Sequence, residues 1–277
     1  AYTAAGIRSD HECSNIAEAK EKLSRGQWIM IREGTAAKNL QELMPLFEAP
    51  YYNRILLVTD DKHPLDLLND GHIDAIIRKA VHLGADPIRA IKAGSLNAAT
   101  YFGLRDTGAI APGYDADIVV LNDLTDLHVQ EVYKQGTLIS ERGQITTAVN
   151  SNTDSIPERV IHSFHVEKIT PAQLVIPKQG EHIHVIELHA GELLTSERTA
   201  SWNTDTSAKD WADGINPDDD IIKIVAIERH KNTGHLGKGF LGGYGLKKGA
   251  VATSIGHDYH NLVGAGTNDT DIAIAAN

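Results

Sequence analysis

One cysteine, Cys13, stands in 277 residues, so no internal disulfide framework can staple this chain. That scarcity agrees with a reducing compartment, and a cytoplasmic location is the expectation it supports. Basic residues are also short: 26 Lys and Arg face 37 Asp and Glu, a formal net charge of −11. Such a balance repels a phosphate backbone and excludes nucleic acid as a general electrostatic partner. No apolar run approaches the roughly 20 residues that a membrane-spanning helix needs, so a membrane protein is not expected. A signal peptide and an initiator Met are missing from the beginning. Ala1 to Gly6 reads instead like a helix tail with its glycine stop, and the helix-like Asp271 to Ala276 ends without a clear terminus. The expectation is therefore a chain cut at its start, and at its end as well. What remains is ordinary for a globular protein, with 42% apolar and 23% charged residues, enough for one large domain or two modest ones.

The most informative stretch is Arg54-Ile55-Leu56-Leu57-Val58-Thr59-Asp60-Asp61-Lys62-His63-Pro64. Continuous Ile, Leu and Val read as a buried parallel strand, and α/β proteins keep their chemistry just past the C-terminal ends of such strands. Asp60 is the first catalytic candidate, and Asp61 stands beside it. Taken alone, an Asp-Asp pair there is more often a cap for the turn and the next helix. Trp28 to Ile31 repeats the pattern and ends in Arg32-Glu33-Gly34-Thr35. Near the start, Gly6 to Cys13 delivers Asp10, His11 and Glu12 in succession. Neutral imidazole is a common metal ligand and a neighbouring carboxylate orients it, although a surface histidine between two acids is more often merely solvated.

Between and after these strands the apolar spacing predicts helices. One carries Ile16, Ala19 and Leu23 and stops at Gly26; another covers Ala36 to Phe47 with Leu40, Leu43 and Leu46 on one face. A third begins near His72, with Ile73, Ile76, Ile77, Ala80 and Val81 inward. A fourth starts at the Asp86-Pro87 cap and runs unbroken to Phe102 before Gly103. His72 and His82 fall on helix surfaces and receive no role. The βα alternation is that of a parallel sheet or barrel.

Ala109 to about Ile145 reads as short strands with turns at Asn122-Asp123 and Gly136, consistent with a small β-sandwich, and Thr146 to Pro157 as a linker or loop. From Glu158 a second α/β region follows, with strands at Ile183 to Leu188, Ile221 to Glu228 and Ala250 to Ile255. The glycines from Gly234 to Gly249 lack the context of a phosphate loop and read as turns. His182 and His184 share one face of a strand, and the preferred reading is a polar strand face. His257-Asp258-Tyr259-His260-Asn261 follows an apolar segment; on a helix His257 and His260 would share a face, with Asp258 able to orient an imidazole. A helix-capping cluster is the plain alternative.

Gly108-Ala109-Ile110-Ala111-Pro112-Gly113-Tyr114-Asp115-Ala116-Asp117-Ile118-Val119-Val120-Leu121 resembles the segment by which amidohydrolase-superfamily enzymes leave their barrel. Ser9-Asp10-His11-Glu12, Ile31-Arg32-Glu33-Gly34 and Thr59 to Pro64 are similar to motifs of the prokaryotic adenine deaminases. The likeness continues through Glu228-Arg229-His230, Gly239-Phe240, Gly245 to Ala250 and His257 to Asn261. It implies an α/β chain holding the C-terminal part of a metal-dependent (β/α)8 barrel at 1–107, a β-sandwich return segment at 108–150, and the C-terminal domain of these deaminases at 151–277. In that family the ligands are an H-x-H pair on the first strand, a carboxylate on the fourth, histidines on the fifth and sixth, and an aspartate on the eighth. His11 matches the strand-six histidine and Asp60 the strand-eight aspartate. The others have no counterpart before Ala1, so the expected sheet cannot close a barrel or complete the site.

The resemblance also implies the chemistry. Hydrolytic deamination of adenine to hypoxanthine and ammonia, a purine salvage and adenine catabolic reaction, would use a divalent metal, a binuclear Mn or Fe site with Zn as an alternative. His11 and Asp60 would hold it, and Asp60 would move the proton. Asp10, Glu12, Glu33, Asp61, His257, Asp258 and His260 are expected to orient ligands or meet substrate. This chain alone is expected to be inactive. The partner is a small molecule, adenine, and the resemblance leaves room for a homo-oligomer. One cysteine excludes the other deaminase design, which needs P-C-x-x-C zinc ligands. Two alternatives stand beside this reading: an amidohydrolase acting on a cyclic amide, and an inactive fragment or binding module.

Overall fold

The computed structural model describes residues 2–146, 155–190, 194–204, 210–256 and 258–277. The chain divides into two compact units, Ala1–Ser151 and Asn152–Asn277. The expected linker falls largely on 147–154, outside the described residues.

The first unit is built on three parallel strands, β1 (Ser9–Asp10), β2 (Trp28–Arg32) and β3 (Ile55–Val58), in that spatial order. Their register places Ser9 beside Trp28 and Arg32 beside Val58, so the strand ends line up. The helices α1 (Ile16–Ser24), α2 (Leu40–Leu43), α3 (Pro64–Asn69), α4 (Ile73–His82), α5 (Pro87–Gly94) and α6 (Leu96–Phe102) follow or separate them. Ile29, Ile31, Ile55 and Leu57 are buried with Leu40, Leu43, Leu46, Phe47, Ile76, Ala80 and Ala90 in one core. Each large aliphatic side chain so buried contributes about 1.5–3 kcal/mol. Three strands cannot close on themselves, and the described residues form no barrel.

Two helix expectations are corrected. The helix expected from Ala36 begins at Leu40 and passes at Met44 into a 3-10 turn ending at Phe47. Its first residues are claimed by the strand end: the Ala36 N–H donates to Asp61 at 3.0 Å, and Lys38 bridges back to Glu33. The long helix expected from Pro87 to Phe102 breaks at Ser95, where φ is −133° and ψ is −87°. The Ser95 hydroxyl donates to the Ile91 carbonyl at 2.6 Å, and the break lets the Asn97 amide donate to the carbonyls of Tyr52 and Ile55, both at 2.8 Å. The N-cap at Asp86 is as expected, accepting from the Arg89 N–H at 2.9 Å.

The segment expected as a β-sandwich forms one sheet among the described residues. β4 (Ile118–Leu121), β5 (Val129–Lys134), β6 (Thr137–Glu141) and β7 (Gln144–Ile145) form one antiparallel sheet in chain order. Each strand pairs with the next, so among the described residues this segment supplies a single layer. Gln135 and Gly136, with φ of 49° and 76°, make the two-residue turn between β5 and β6 that suits the twist of a hairpin.

The second unit carries a six-stranded sheet: β8 (His182–Glu187), β9 (Ser196–Ser201), β10 (Ile221–Ile227), β11 (Leu236–Gly242), β12 (Ala250–Thr253) and β13 (Leu262–Gly266). The order is β12-β13-β10-β11-β8-β9, antiparallel except between β11 and β8. Short helices α7 (Glu158–Ile161) and α8 (Pro171–Leu174) precede the sheet and α9 (Asp269–Ala276) ends it. Three of these strands were not foreseen, and β11 overturns the reading of its glycines as turns. β11 pairs with β10 over seven residues, so ladder hydrogen bonds outweigh the weak strand preference of glycine. Gly242 serves a close approach: a Cβ there would lie 2.3 Å from Glu187 Oε2. Among the described residues, no helix is long and apolar enough to cross a membrane.

Candidate active site at the strand ends

The aligned ends of β1, β2 and β3 carry His11 and Glu12, Arg32, and Asp60. The chain turns sharply after β3: Asp60 has φ of 49°, a left-handed conformation that Asp tolerates better than most residues. This turn brings Asp60 Oδ1 to 3.5 Å from His11 Nε2 and Asp60 Oδ2 to 3.5 Å from Arg32 Nη1. The Asp60 side chain is 13% exposed and that of His11 46%, so the pair opens to solvent from the imidazole side.

Arg32 is the buried centre. Its side chain is 3% exposed and grips Glu12 with both ends of its fork, Nη1 to Oε1 at 2.8 Å and Nη2 to Oε2 at 3.2 Å. A planar guanidinium suits such two-point recognition of a carboxylate. Its Nε is buried with no hydrogen-bond partner. Asn39 holds the frame: its side-chain oxygen accepts from the Arg32 N–H at 2.8 Å, and its amide donates to the carbonyls of His11 at 3.3 Å and Cys13 at 3.1 Å. Neither residue was singled out as functional from the sequence. Arg32 carried a signal, since it ends an apolar strand in charge as β3 does; Asn39 carried none.

The remaining candidates lie around this cluster. Glu12 approaches His11 Nε2 at 3.3 Å and is its carboxylate neighbour together with Asp60. Asp10 faces away, to Lys22 at 2.7 Å and to the Glu12 N–H at 2.6 Å. Burial pushes the Asp10 pKa up, but Lys22 and the Glu12 N–H outweigh it and hold the carboxyl below its usual range. Burial likewise pushes the Cys13 thiol up to about 11. Asp61 braces the loop after β2, accepting from Ala36 at 3.0 Å and Ala37 at 3.4 Å. Gly34 passes so close that a Cβ would lie 1.7 Å from Asp61 Oδ1. Glu33 is buried, ion-paired with Lys79 and accepting from the Leu40 N–H at 3.3 Å; its contacts are with these rather than with His11 or Asp60.

His257 lies outside the described residues. Asp258 and His260 fall in a turn of the second unit, not on a helix, and His260 has φ of 46°. The shared face considered for His257 and His260 needs His257 and so falls outside the described residues. The turn is held by its backbone: Arg229 Nε donates to the His260 carbonyl at 2.6 Å, and His230 Nε2 donates to the Tyr259 carbonyl at 2.8 Å.

Whether His11 and Asp60 suit a metal can be tested on their spacing. Two donors each about 2.1 Å from one ion, at a tetrahedral angle, lie about 3.4 Å apart. The observed 3.5 Å between His11 Nε2 and Asp60 Oδ1 fits one ion. The pair is not a complete set: among the described residues, no group of three or more His, Cys, Asp or Glu is placed to hold a metal.

Comparison with known proteins places these motifs in a family. Residues 6–139 match the amidohydrolase family, and residues 192–277 match the adenine deaminase C-terminal domain. The adenine deaminase of Dehalococcoides mccartyi strain BAV1 is 45% identical over 275 residues, covering 99% of this chain and 47% of that protein. That of Kosmotoga olearia is 44% identical over 277 residues, covering 100% and 47%. The chain spans about half the length of the curated relatives it matches. It belongs to the amidohydrolase superfamily, whose members work through a metal-dependent site. Within that superfamily its family is that of the adenine deaminases.

Proposed function

We propose that this chain carries part of the active site of an enzyme that hydrolyses adenine to hypoxanthine and ammonia. The observation that carries the reading is the His11–Asp60 pair, spaced for one ion at the ends of β1 and β3, which flank β2 in one parallel sheet, in a chain 45% identical to a protein named adenine deaminase. His11 and Asp60 would hold a divalent metal, Mn or Fe with Zn as the alternative, and further donors must come from beyond the described residues. When bound, such an ion lowers the pKa of a coordinated water from 15.7 towards about 7.

In the reaction, a bond forms between the water oxygen and the purine carbon that bears the amino group, and the bond from that carbon to nitrogen breaks. Asp60, facing His11 with one oxygen and Arg32 with the other, would take the water proton and pass it to the departing nitrogen, so that ammonia leaves. Arg32 keeps Glu12 and Asp60 in place without competing for the proton. Glu12 meets the same ring nitrogen that would hold the ion, so it would stand beside the metal rather than orient the ring through its second nitrogen. The C-terminal match at 192–277 favours this reading over a cyclic-amide hydrolase, which has no need of that domain.

The test joins this chain to the N-terminal part of the Dehalococcoides mccartyi relative that it does not cover. The fusion, loaded with Mn, is expected to release ammonia from adenine, and the chain alone is expected to release none. A folded, metal-loaded fusion with no turnover would sink the proposal and favour a binding module.

A further inference from the structure

The second unit holds a pair of histidines that the proposed reaction does not use. Along β8, Ile183 and Val185 are buried while His182 and His184 are exposed, so both imidazoles stand on the same face of the sheet. At a rise of about 3.3 Å per residue their Cα atoms are roughly 6.6 Å apart, close enough for both rings to reach one ion. β9 is the neighbouring edge strand, and its register sets Thr199 opposite His184, with Glu197 two residues away on the same face. The Glu197 carboxylate contacts His184 Nδ1. An ionised carboxylate only accepts, so Nδ1 of the neutral ring carries the hydrogen and Nε2 keeps its lone pair. Ligating histidines are oriented in this way, by a carboxylate on the second nitrogen. The His182 ring makes no hydrogen bond or ion pair among the described residues.

The surroundings permit a cation. Both rings stand on the exposed side of β8, opposite Ile183 and Val185, which pack with Phe240 and Trp202. The Lys238 ammonium is already taken up by the carbonyls of Gln173 at 3.0 Å and Val175 at 2.8 Å. Imidazole suits the later first-row metals, and affinity within that series peaks at copper. We propose that His182 and His184 form a two-imidazole site for a late first-row divalent ion, with Cu²⁺ bound more tightly than Zn²⁺ and Mn²⁺ most weakly. Water fills the remaining positions, since no third protein donor joins the pair among the described residues. The ion is therefore exchangeable, unlike a closed structural zinc. The site depends on nothing assigned to His11 and Asp60.

Trp202 directly follows Ser201, the residue opposite His182, and so lies close enough to report on a copper ion bound there. The chelator-stripped 277-residue chain is titrated with CuCl₂, ZnCl₂ and MnCl₂, following tryptophan fluorescence and heat of binding. One equivalent of Cu²⁺ is expected to bind and quench. His182→Gln and His184→Gln should each weaken that event by at least about tenfold, and Glu197→Gln by about tenfold, the loss typical of removing a ligand's orienting partner. Melting temperatures should stay unchanged because these side chains are exposed; if Gln lowers one, Asn at the same position replaces it. His11→Gln should leave the quenching event intact. Quenching that survives both histidine changes overturns the proposal, as does a loss confined to one histidine, which would mean that the two do not share an ion.

Discussion

Arg32 in the first unit and Lys223 in the second are both cations buried within a few per cent of complete exclusion from solvent. Arg32 sits at a strand end, shares its charge between Glu12 and Asp60, and leaves Nε without a partner beside a half-exposed imidazole. Lys223 sits inside β10, ion-paired with Asp269 at the start of α9 and donating to the Leu174 carbonyl at 3.0 Å. The second arrangement is closed: it ties α8 and α9 to the sheet and offers nothing to a ligand. The first is open: a buried Nε keeps spare hydrogen-bonding capacity, and the cluster reaches solvent through the His11 ring. Buried charge therefore means different things in the two units, and the number of unfinished contacts separates a site from a brace.

The comparison can be broken at both ends. In the Mn-loaded fusion described above, Asp60→Asn should lower adenine turnover by roughly 10² to 10⁴, the range for loss of a general acid–base. Asp61→Asn should cost much less turnover, because Asp61 braces backbone N–H groups; equal losses would show that the wrong carboxylate has been named. Asp269→Ala leaves Lys223 buried and unpaired and should destabilise the second unit by about 3–5 kcal/mol in urea unfolding. Glu12→Gln, at an exposed carboxylate, should cost the first unit under about 1 kcal/mol. If the two losses match, the distinction between brace and site fails.

Gly34→Ala should cost the first unit about 1–3 kcal/mol, because the new methyl displaces the Asp61 carboxylate from Ala36. A melting curve unchanged from the parent would contradict that close approach. The smallest expected effect is a pH dependence in the second unit. Glu228 is held down from 4.5 to about 2 by the Thr233 N–H first; burial opposes this, and the N–H groups of Lys231 and His230 and the Thr233 hydroxyl reinforce it. A depressed carboxyl pKa contributes stability above pH 4.5 that is lost as pH falls through about 2. Glu228→Gln should flatten the acid limb of the second unit's stability between these values, read by denaturant midpoints, and leave the first unit's limb unchanged.

Much of the first unit was legible because its signals are local. Apolar runs gave β2 and β3, helical spacing gave α4, and Asp86-Pro87 gave the start of α5. The break at Ser95 was hidden, since it exists to bring Asn97 to carbonyls some 40 residues back in the chain. β11 was hidden as well, because its strand state rests on pairing with β10 against the preference of its own glycines. At the candidate site, the strand-end placement of His11 and Asp60 was legible from the apolar runs that precede or flank them. The fork from Arg32 to Glu12 was not, because it arises from the register of neighbouring strands. Asn39 binds three backbone groups on two segments, and no local pattern announces that.

The central claim is that His11 and Asp60 share one ion at the strand ends. Anomalous diffraction from crystals of the Mn-loaded fusion tests it most directly. The account predicts a manganese peak within coordination distance, about 2 Å, of both His11 Nε2 and Asp60 Oδ1. A manganese peak that touches neither residue, with Asp60 still paired to Arg32, would contradict it.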